Sequence, residues 1–322
     1  FIRFIPRHSN IFESEFMQHF FLFLFLTISF FNSFSQERLF SYSQIKMGTE
    51  FNIKVYATDS AKTTAIINQA WARIDEVNQL FSDYIQTSEL ARIDAQKGKS
   101  IKISDEFAYV LRLSLKYSKA SYGAFDVSIG ALSRLWRRSI KMNEFPAKDK
   151  IAAALANIGY KKVKLNGNTL TLPDGVLLDF GAIAKGYAVD EAYKVLSNAG
   201  LKKSLVDGGG DIYAGESIDP MGWKIAVKVK NENQWNDSVV YVKNKGIATS
   251  GDQYKYIEDN DGNRYAHIIN PKTGYGVKGP LLTTVIAENA THADALATTL
   301  SILNEKEEKR FRQKMRMGYV LL

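Results

Sequence analysis

Apolar positions along this chain recur with two periods, and the switches between them set out its elements. Phe51, Ile53 and Val55 alternate with Asn52, Lys54 and Tyr56, which predicts a half-buried strand within a first folded stretch Arg38–Tyr56. Ile67, Trp71, Ile74, Val77 and Phe81 follow at helical spacing and predict an amphipathic helix over Thr63–Tyr84. Ser88–Ile93 and Asp105–Ser118 read as further helices, the second with Phe107, Val110, Leu111 and Leu115 on one face. Gly123 and Gly130 bracket a short apolar element that holds one carboxylate, Asp126. Leu132–Lys150 is basic and reads as a loop, and Ile151–Ile158 as a short helix ended by Gly159. Val163–Leu172 has two alternating arms around Asn166-Gly167, a hairpin signal.

Leu177–Gly186, LLDFGAIAKG, reads as strand, tight turn and helix start, continued by a helix over Tyr187–Asn198. Leu205–Gly210 reads as a strand closed by three glycines, which let another backbone or a ligand approach closely. Trp223–Val229, Ser238–Val242, Tyr265–Ile269 and Leu282–Ala287 read as strands, Asp259–Gly262 as a turn, and Gly246–Gly251 as small and flexible. Thr291–Leu303 reads as a helix, Glu305–Met317 as a charged helix, and Gly318–Leu322 as a last strand.

Composition narrows the chemistry. With 322 residues the chain exceeds what one small core needs. It has no cysteine, which excludes disulfides, a thiolate nucleophile, a Cys-based zinc site and a lipid-modified Cys. Its four histidines make a His-rich metal site a poor expectation, so a metal here would be a hard cation held by oxygens. A net charge of +8 suits an anionic partner. No long Lys/Arg run with interleaved aromatics occurs, so nucleic acid is not favoured. Phe20–Phe31, FFLFLFLTISFF, is too short for an ordinary span and fits the apolar region of an export signal. The expectation is an N-terminal extension and signal over 1–36, with an uncleaved membrane anchor as second reading, then one domain over 37–322.

The candidate chemistry gathers in a few stretches. Asp179 offers an oxygen ligand or acceptor, Lys185 a mobile cation, and the helix start between them unpaired backbone N–H groups for an anion. A connecting turn with a solvated Lys is the bland alternative. Asp294 and Thr298 stand four apart, one turn on one helical face, where two oxygens can share a hard cation. Thr291 and Asp294 also match a capping box, which would make Asp294 a helix cap. His267 precedes an Asn270-Pro271 turn, and a structural histidine is the alternative to a site one.

Met47-Gly48-Thr49, Ser82-Asp83-Tyr84, Gly123–Ser128, Asp179–Gly186, Asp207–Asp211, Ser250-Gly251, His267–Gly274 and Ala293–Thr299, in this order, resemble the ApbE family of FAD:protein FMN transferases. The stretches DFGAIAKGYAVD and HADALATT carry most of the resemblance, which runs from about Phe40 to Leu303. It implies an α+β fold of mixed and antiparallel sheets with packed helices, a T-fold-like arrangement of two subdomains with a central flavin cleft. It implies Mg²⁺ on Asp294, Thr298 and the main-chain oxygen of Ala182. Met47, Tyr84, Ala124, Phe125, Asp126, Asp179, Lys185, His267 and Ile268 would line the nucleotide, with Gly208–Gly210 making room for it. Tyr84 would stack on a flavin or adenine ring. His267 is the candidate base, with Asp126 and Asp179 as alternatives; Lys185 and Asp179 complete the catalytic set. The implied partners are FAD and an acceptor flavoprotein presenting Thr or Ser, and the implied place is the periplasm or the outer side of the inner membrane. Two other readings are an FAD pyrophosphatase giving FMN and AMP, and a non-catalytic FAD-binding envelope protein. Asn270 stands where the family often has Asp.

Overall fold

Strand alternation builds the main sheet from its first hairpin. β1 (Arg38–Lys46) and β2 (Thr49–Ala57) pair antiparallel in full register around a turn in which Met47 takes a left-handed φ of 49°. The computed structural model describes residues 36–96, 98–231, 234–252, 255–315, 318 and 320–321, so most of the expected export segment 1–36 lies outside the described residues. The chain continues through α1 (Ser60–Phe81), α2 (Glu89–Asp94), β3 (Ser100–Lys102), α3 (Asp105–Ala120), α4 (Gly130–Met142) and α5 (Lys148–Leu155). A 3₁₀ turn at Tyr160–Lys162 leads to the hairpin of β4 (Lys164–Asn166) and β5 (Thr169–Thr171). α6 (Ala184–Asn198), β6 (Ser204–Asp207), β7 (Asp211–Ala214), β8 (Trp223–Asn231), β9 (Gln234–Val242) and β10 (Lys245–Gly251) follow. β11 (Tyr256–Glu258), β12 (Arg264–Ile269), β13 (Gly276–Lys278), β14 (Leu282–Ala287), α7 (Ala290–Leu300), α8 (Glu305–Met315) and β15 (Val320–Leu321) complete it.

A seven-stranded sheet runs in the order β1-β2-β6-β7-β10-β14-β15, every pairing antiparallel. Its two faces enter different cores, as period-two side chains require. Phe51, Ile53, Val55, Val206, Ala248 and Val285 join α1, α6 and α7 in the largest core. Their strand neighbours Leu205 and Ile247 face the opposite way, onto Trp223, Ile225, Val227 and Val242 of the β8–β9 hairpin. A third cluster packs Leu132 and Trp136 of α4 and Ile151 of α5 against Ile257, Tyr265 and Ile269 of the β11-β12-β13 sheet. The α+β class and the antiparallel pairing match the expectation. Residues Arg38–Leu322 cluster as one compact unit, so the expected pair of subdomains is not drawn by the structure. Among the described residues no helix is long and apolar enough to cross a membrane.

Three local expectations are corrected. Leu132–Lys150 is not mainly loop: Gly130–Met142 is a helix that buries Leu132, Trp136 and Ser139 at helical spacing, and its arginines point away from that stripe. Gly246–Gly251 is a central strand, not a flexible link. Its small residues are there because α7 crosses closely: a Cβ on Gly246 would meet the Asn289 and Ala290 backbone. The segment before Asp179 forms no strand, only a parallel bridge between Ile129 and Leu177, because its backbone pairs with the 127–130 turn instead.

Candidate active site

The N-termini of α6 and α7 meet antiparallel at the edge of the main core, and the expected metal and anion residues meet there. α6 begins without a side-chain cap of its own. The Gly186 N–H, one of the first-turn donors that a helix cannot satisfy internally, goes to Asp294 Oδ2 at 3.0 Å. Ala184 N–H is used as well, by Phe180 O at 2.8 Å. The expected anion-binding helix start is therefore partly spent on protein acceptors. Asp294 does not cap its own helix: Asn289 accepts the His292 N–H there, and Thr291 donates to Asp190.

Lys185 is not the mobile cation the sequence suggests. Its ammonium is ion-paired with Asp211, a side chain only 4% exposed at the start of β7. Burial acts to lower the lysine pKa, but Asp211, Asp294 and Asp207 outweigh it and raise the net value. Asp294 responds in the opposite sense. Burial, with the Asp211 charge beside it, pushes its carboxyl far above the usual carboxylate range, against Lys185 and the Gly186 N–H. Burial also raises Asp207, whose Oδ1 accepts the Gly210 N–H at 2.8 Å. The cluster thus gathers three carboxyl groups around one lysine, and burial favours the protonated form of Asp294. Thr298 Oγ1 lies one turn beyond Asp294 and hydrogen-bonds Ser250 Oγ at 3.2 Å. These oxygen donors, with a buried carboxyl that a bound cation would hold ionised, fit a hard divalent cation. Among the described residues no group of three or more His, Cys, Asp or Glu side chains is arranged to hold a metal. A cation here would accordingly need hydroxyl, main-chain or water oxygens beside Asp294.

His267 lies on β12, within electrostatic reach of this cluster. Its ring is exposed, yet the protein packed around it disfavours the charged form, and Lys255 and Lys185 lower its pKa further. Its Nδ1 lies 3.2 Å from Lys255 O, which suits an Nδ1–H donor and leaves Nε2 as the basic nitrogen. Near Asp179, Arg137 of α4 pairs with Asp83, covers the Tyr84 ring at 4.7 Å and feels the charge of Asp179. Tyr84 is 76% exposed on the rim of an open depression of about 420 Å³ that Asp83, Gln86, Arg134 and Arg137 also line. Asp179 closes its own turn, accepting the Gly181 N–H at 2.6 Å.

The family model described as the ApbE family matches residues 47–321. The chain belongs to the ApbE family. It is 32% identical over 308 residues to an FAD:protein FMN transferase of Haemophilus influenzae, covering 89% of this chain and 87% of that one. It is 30% identical to an FAD:protein FMN transferase of Vibrio cholerae, covering 81% and 80%. Among solved structures, the flavinyl transferase ApbE of Pseudomonas stutzeri in its apo form superposes with a TM-score of 0.76 at 26% identity, over 88% of this chain and 90% of that one. The flavin transferase ApbE of Vibrio cholerae superposes at 0.75 and 26%, over 88% and 93%.

The remaining ApbE motif residues of this chain divide into backbone supports and surface groups. Asp126 is buried and fully engaged: Oδ1 accepts Ser128 N–H and Oγ–H at 2.9 and 2.7 Å, and Oδ2 accepts Tyr160 N–H at 2.9 Å. This carboxylate ties the 123–128 turn to the Gly159-Tyr160 corner, which disfavours it as a base. Ala124 and Phe125 are buried, the Phe125 ring 5.7 Å from that of Tyr117, so they can offer a ligand only main-chain atoms. Ile268 is buried likewise. Ala182 sits in the turn one residue before the α6 cap. Gly208 and Gly209 are spent on close packing: a Cβ at Gly208 would meet Phe51 and Val189 at 2.8 Å, and one at Gly209 would meet Thr49 at 2.5 Å. Only Gly210, at φ 99°, opens on empty space. Met47 is half-buried against the largest core.

Asp211, Asp190 and Ser250 join this site without having been given a role from sequence. Asp211 and Ser250 lie inside motif stretches, and their positions there are the one signal that could have found them. Asp190 ends the DFGAIAKGYAVD stretch, but no periodic or capping signal points to its partners, which are a hundred residues away.

Proposed function

We propose that this chain is an FAD:protein FMN transferase that moves the FMN half of FAD onto a Thr or Ser hydroxyl of a target flavoprotein and releases AMP. The observation that carries the reading is the buried cluster of Lys185, Asp211 and Asp294 at the junction of α6 and α7, in a chain of the ApbE family. Asp294, Thr298 and the Ala182 carbonyl would hold Mg²⁺. Bound there, the cation would neutralise pyrophosphate charge as a Lewis acid.

The chain's own groups account for the other needs of the transfer. Lys185, held charged by its carboxylates, is a fixed cation for the pyrophosphate oxygens. His267, kept neutral near pH 7 by its lowered pKa, takes the acceptor hydroxyl proton. The acceptor oxygen then bonds to the phosphorus of the FMN half. The bond from that phosphorus to the bridging oxygen breaks, and AMP leaves with that oxygen. Tyr84, beside Arg137, supplies a face for an aromatic ring of the dinucleotide. The apolar run at Phe20–Phe31 supports export, with the domain acting in the periplasm or attached to the outer side of the inner membrane.

The test incubates the purified chain with FAD and Mg²⁺, with and without a flavoprotein acceptor fragment. Acceptor fluorescence in a denaturing gel is read, and AMP and FMN are counted. A fluorescent acceptor with one AMP released per label supports the transferase. FMN release without labelling would replace it with the pyrophosphatase, and bound, unchanged FAD with the binding protein.

A further inference from the structure

The first turn of α7 is held twice. Asn289 caps it from within, accepting the His292 N–H at 2.8 Å. Asp190, one helical turn after Gly186 on α6, holds it from outside. Asp190 Oδ1 accepts the Ala290 N–H at 2.9 Å, and Oδ2 accepts the Thr291 N–H at 2.8 Å and its hydroxyl. The two helices are thereby laced in both directions. α6 gives the Gly186 N–H to Asp294 of α7, and α7 gives its first amides to Asp190 of α6. The missing side chain of Gly186 lets the Ala290 carbonyl fit between them, since a Cβ there would lie 2.7 Å from the Ala290 carbonyl carbon.

Asn289 serves only the His292 N–H, so the Ala290 and Thr291 amides need acceptors from outside the helix, and Asp190 supplies both. Burying a carboxylate is costly unless it is fully hydrogen-bonded, and Asp190 is only 9% exposed. What this carboxylate adds is direction: both carboxylate oxygens aim at two consecutive residues of one turn. Asp294 lies four residues after Ala290, about 6 Å along the axis at about 1.5 Å per residue, so a tilt of the first turn moves its carboxylate. A Mg²⁺ site demands near-ideal distances of about 2.0–2.1 Å and tolerates little such movement.

We propose that Asp190 is a positioning residue for the cation: it fixes α7 on α6 in the register that holds Asp294 beside Gly186 and Lys185. The proposal rests on the metal-dependent reading above. Asp190 touches no reacting atom and acts only through the first turn of α7.

Mn²⁺ alone is the probe, its binding to the purified full chain followed by the electron paramagnetic resonance of the free ion. Asp190→Asn keeps the shape but turns a donor toward the Ala290 or Thr291 amide. Its Mn²⁺ affinity is expected to fall about 10- to 100-fold, as for residues that orient metal ligands, with the chain still folded by circular dichroism. Saturating Mn²⁺ should restore much of the FMN transfer. Thr291→Val removes one donor and keeps both amides, and should lose affinity in the same direction but less. A purely structural role would lower the melting temperature and leave the affinity of the folded variant unchanged, and that result overturns the proposal. If Asp190→Asn does not fold, unchanged affinity in Thr291→Val overturns it. A wild-type chain that binds no Mn²⁺ overturns it as well. A wild-type chain that binds Mn²⁺ but labels no acceptor counts against the transferase reading, while the affinity ratio between the variants still decides this one.

Discussion

Gly186 donates its backbone N–H to the Asp294 carboxylate at 3.0 Å, so the helix that carries the lysine is capped by a side chain of the helix that carries the candidate metal ligands. This hydrogen bond links the helix of the cation to the helix of the anion, a link that neither helix makes alone. Among the described residues the buried Asp294 carboxylate accepts one N–H, from Gly186, which leaves it oxygen lone pairs for a cation.

Gly186→Ala should separate the two helices. The new Cβ would stand 2.7 Å from the Ala290 carbonyl carbon and 2.9 Å from Asp294 Cβ. Overpacking of this kind costs about 1–3 kcal/mol, measurable by urea denaturation, and divalent-cation affinity should fall with it.

Asp294→Ala removes the charged member of the candidate cation site. A metal that supplies several kcal/mol of transition-state stabilisation is lost with it, so FMN transfer in excess Mg²⁺ should fall by more than about 100-fold. Acceptor fluorescence measures the transfer. Melting temperature should fall somewhat because the buried Gly186 N–H loses its acceptor, so transfer is compared per folded molecule.

His267 and His292 both have pKa values below the ordinary 6.5 in the folded chain, chiefly because the protein packed around each ring disfavours its charged form. Between the folded and unfolded values the unfolded chain binds more protons. Stability contributed by these groups is therefore constant above about pH 6.5 and is lost as the pH falls through that window. Lys255→Met removes a cation that lowers His267, so its ring should titrate at higher pH by NMR, and the acid limb of kcat/KM should move up with it. An unmoved acid limb beside a moved titration would exclude His267 as the base.

Asp126→Asn should damage folding more than chemistry. The carboxylate accepts from two N–H groups and one hydroxyl, and the amide must turn a donor toward one of them. Leaving such a buried donor unsatisfied costs about 1–3 kcal/mol, read as a lower denaturation midpoint, while transfer per folded molecule persists.

Elements with clean local periodicity were legible in the sequence. The alternation at Phe51, Ile53 and Val55 gave β2, and the Ile67–Phe81 spacing gave α1, because each pattern depends on neighbours within a turn or a strand pair. α4 escaped because its arginines mask an apolar stripe at Leu132 and Trp136, whose partners are on β12 and the loop after it. β10 escaped because its small residues answer to a helix packed across it.

The sequence by itself determined the α+β class, the family, and the one-turn spacing of Asp294 and Thr298, since composition, motif order and helical period are properties of the chain taken in order. Only the tertiary structure decided that Lys185 is fixed by Asp211, that Asp294 caps α6, and that Asp190 holds α7. The physical reason is range. These partners stand 26, 108 and 100 residues apart in sequence, and no local pattern encodes which buried carboxylate a distant donor will reach.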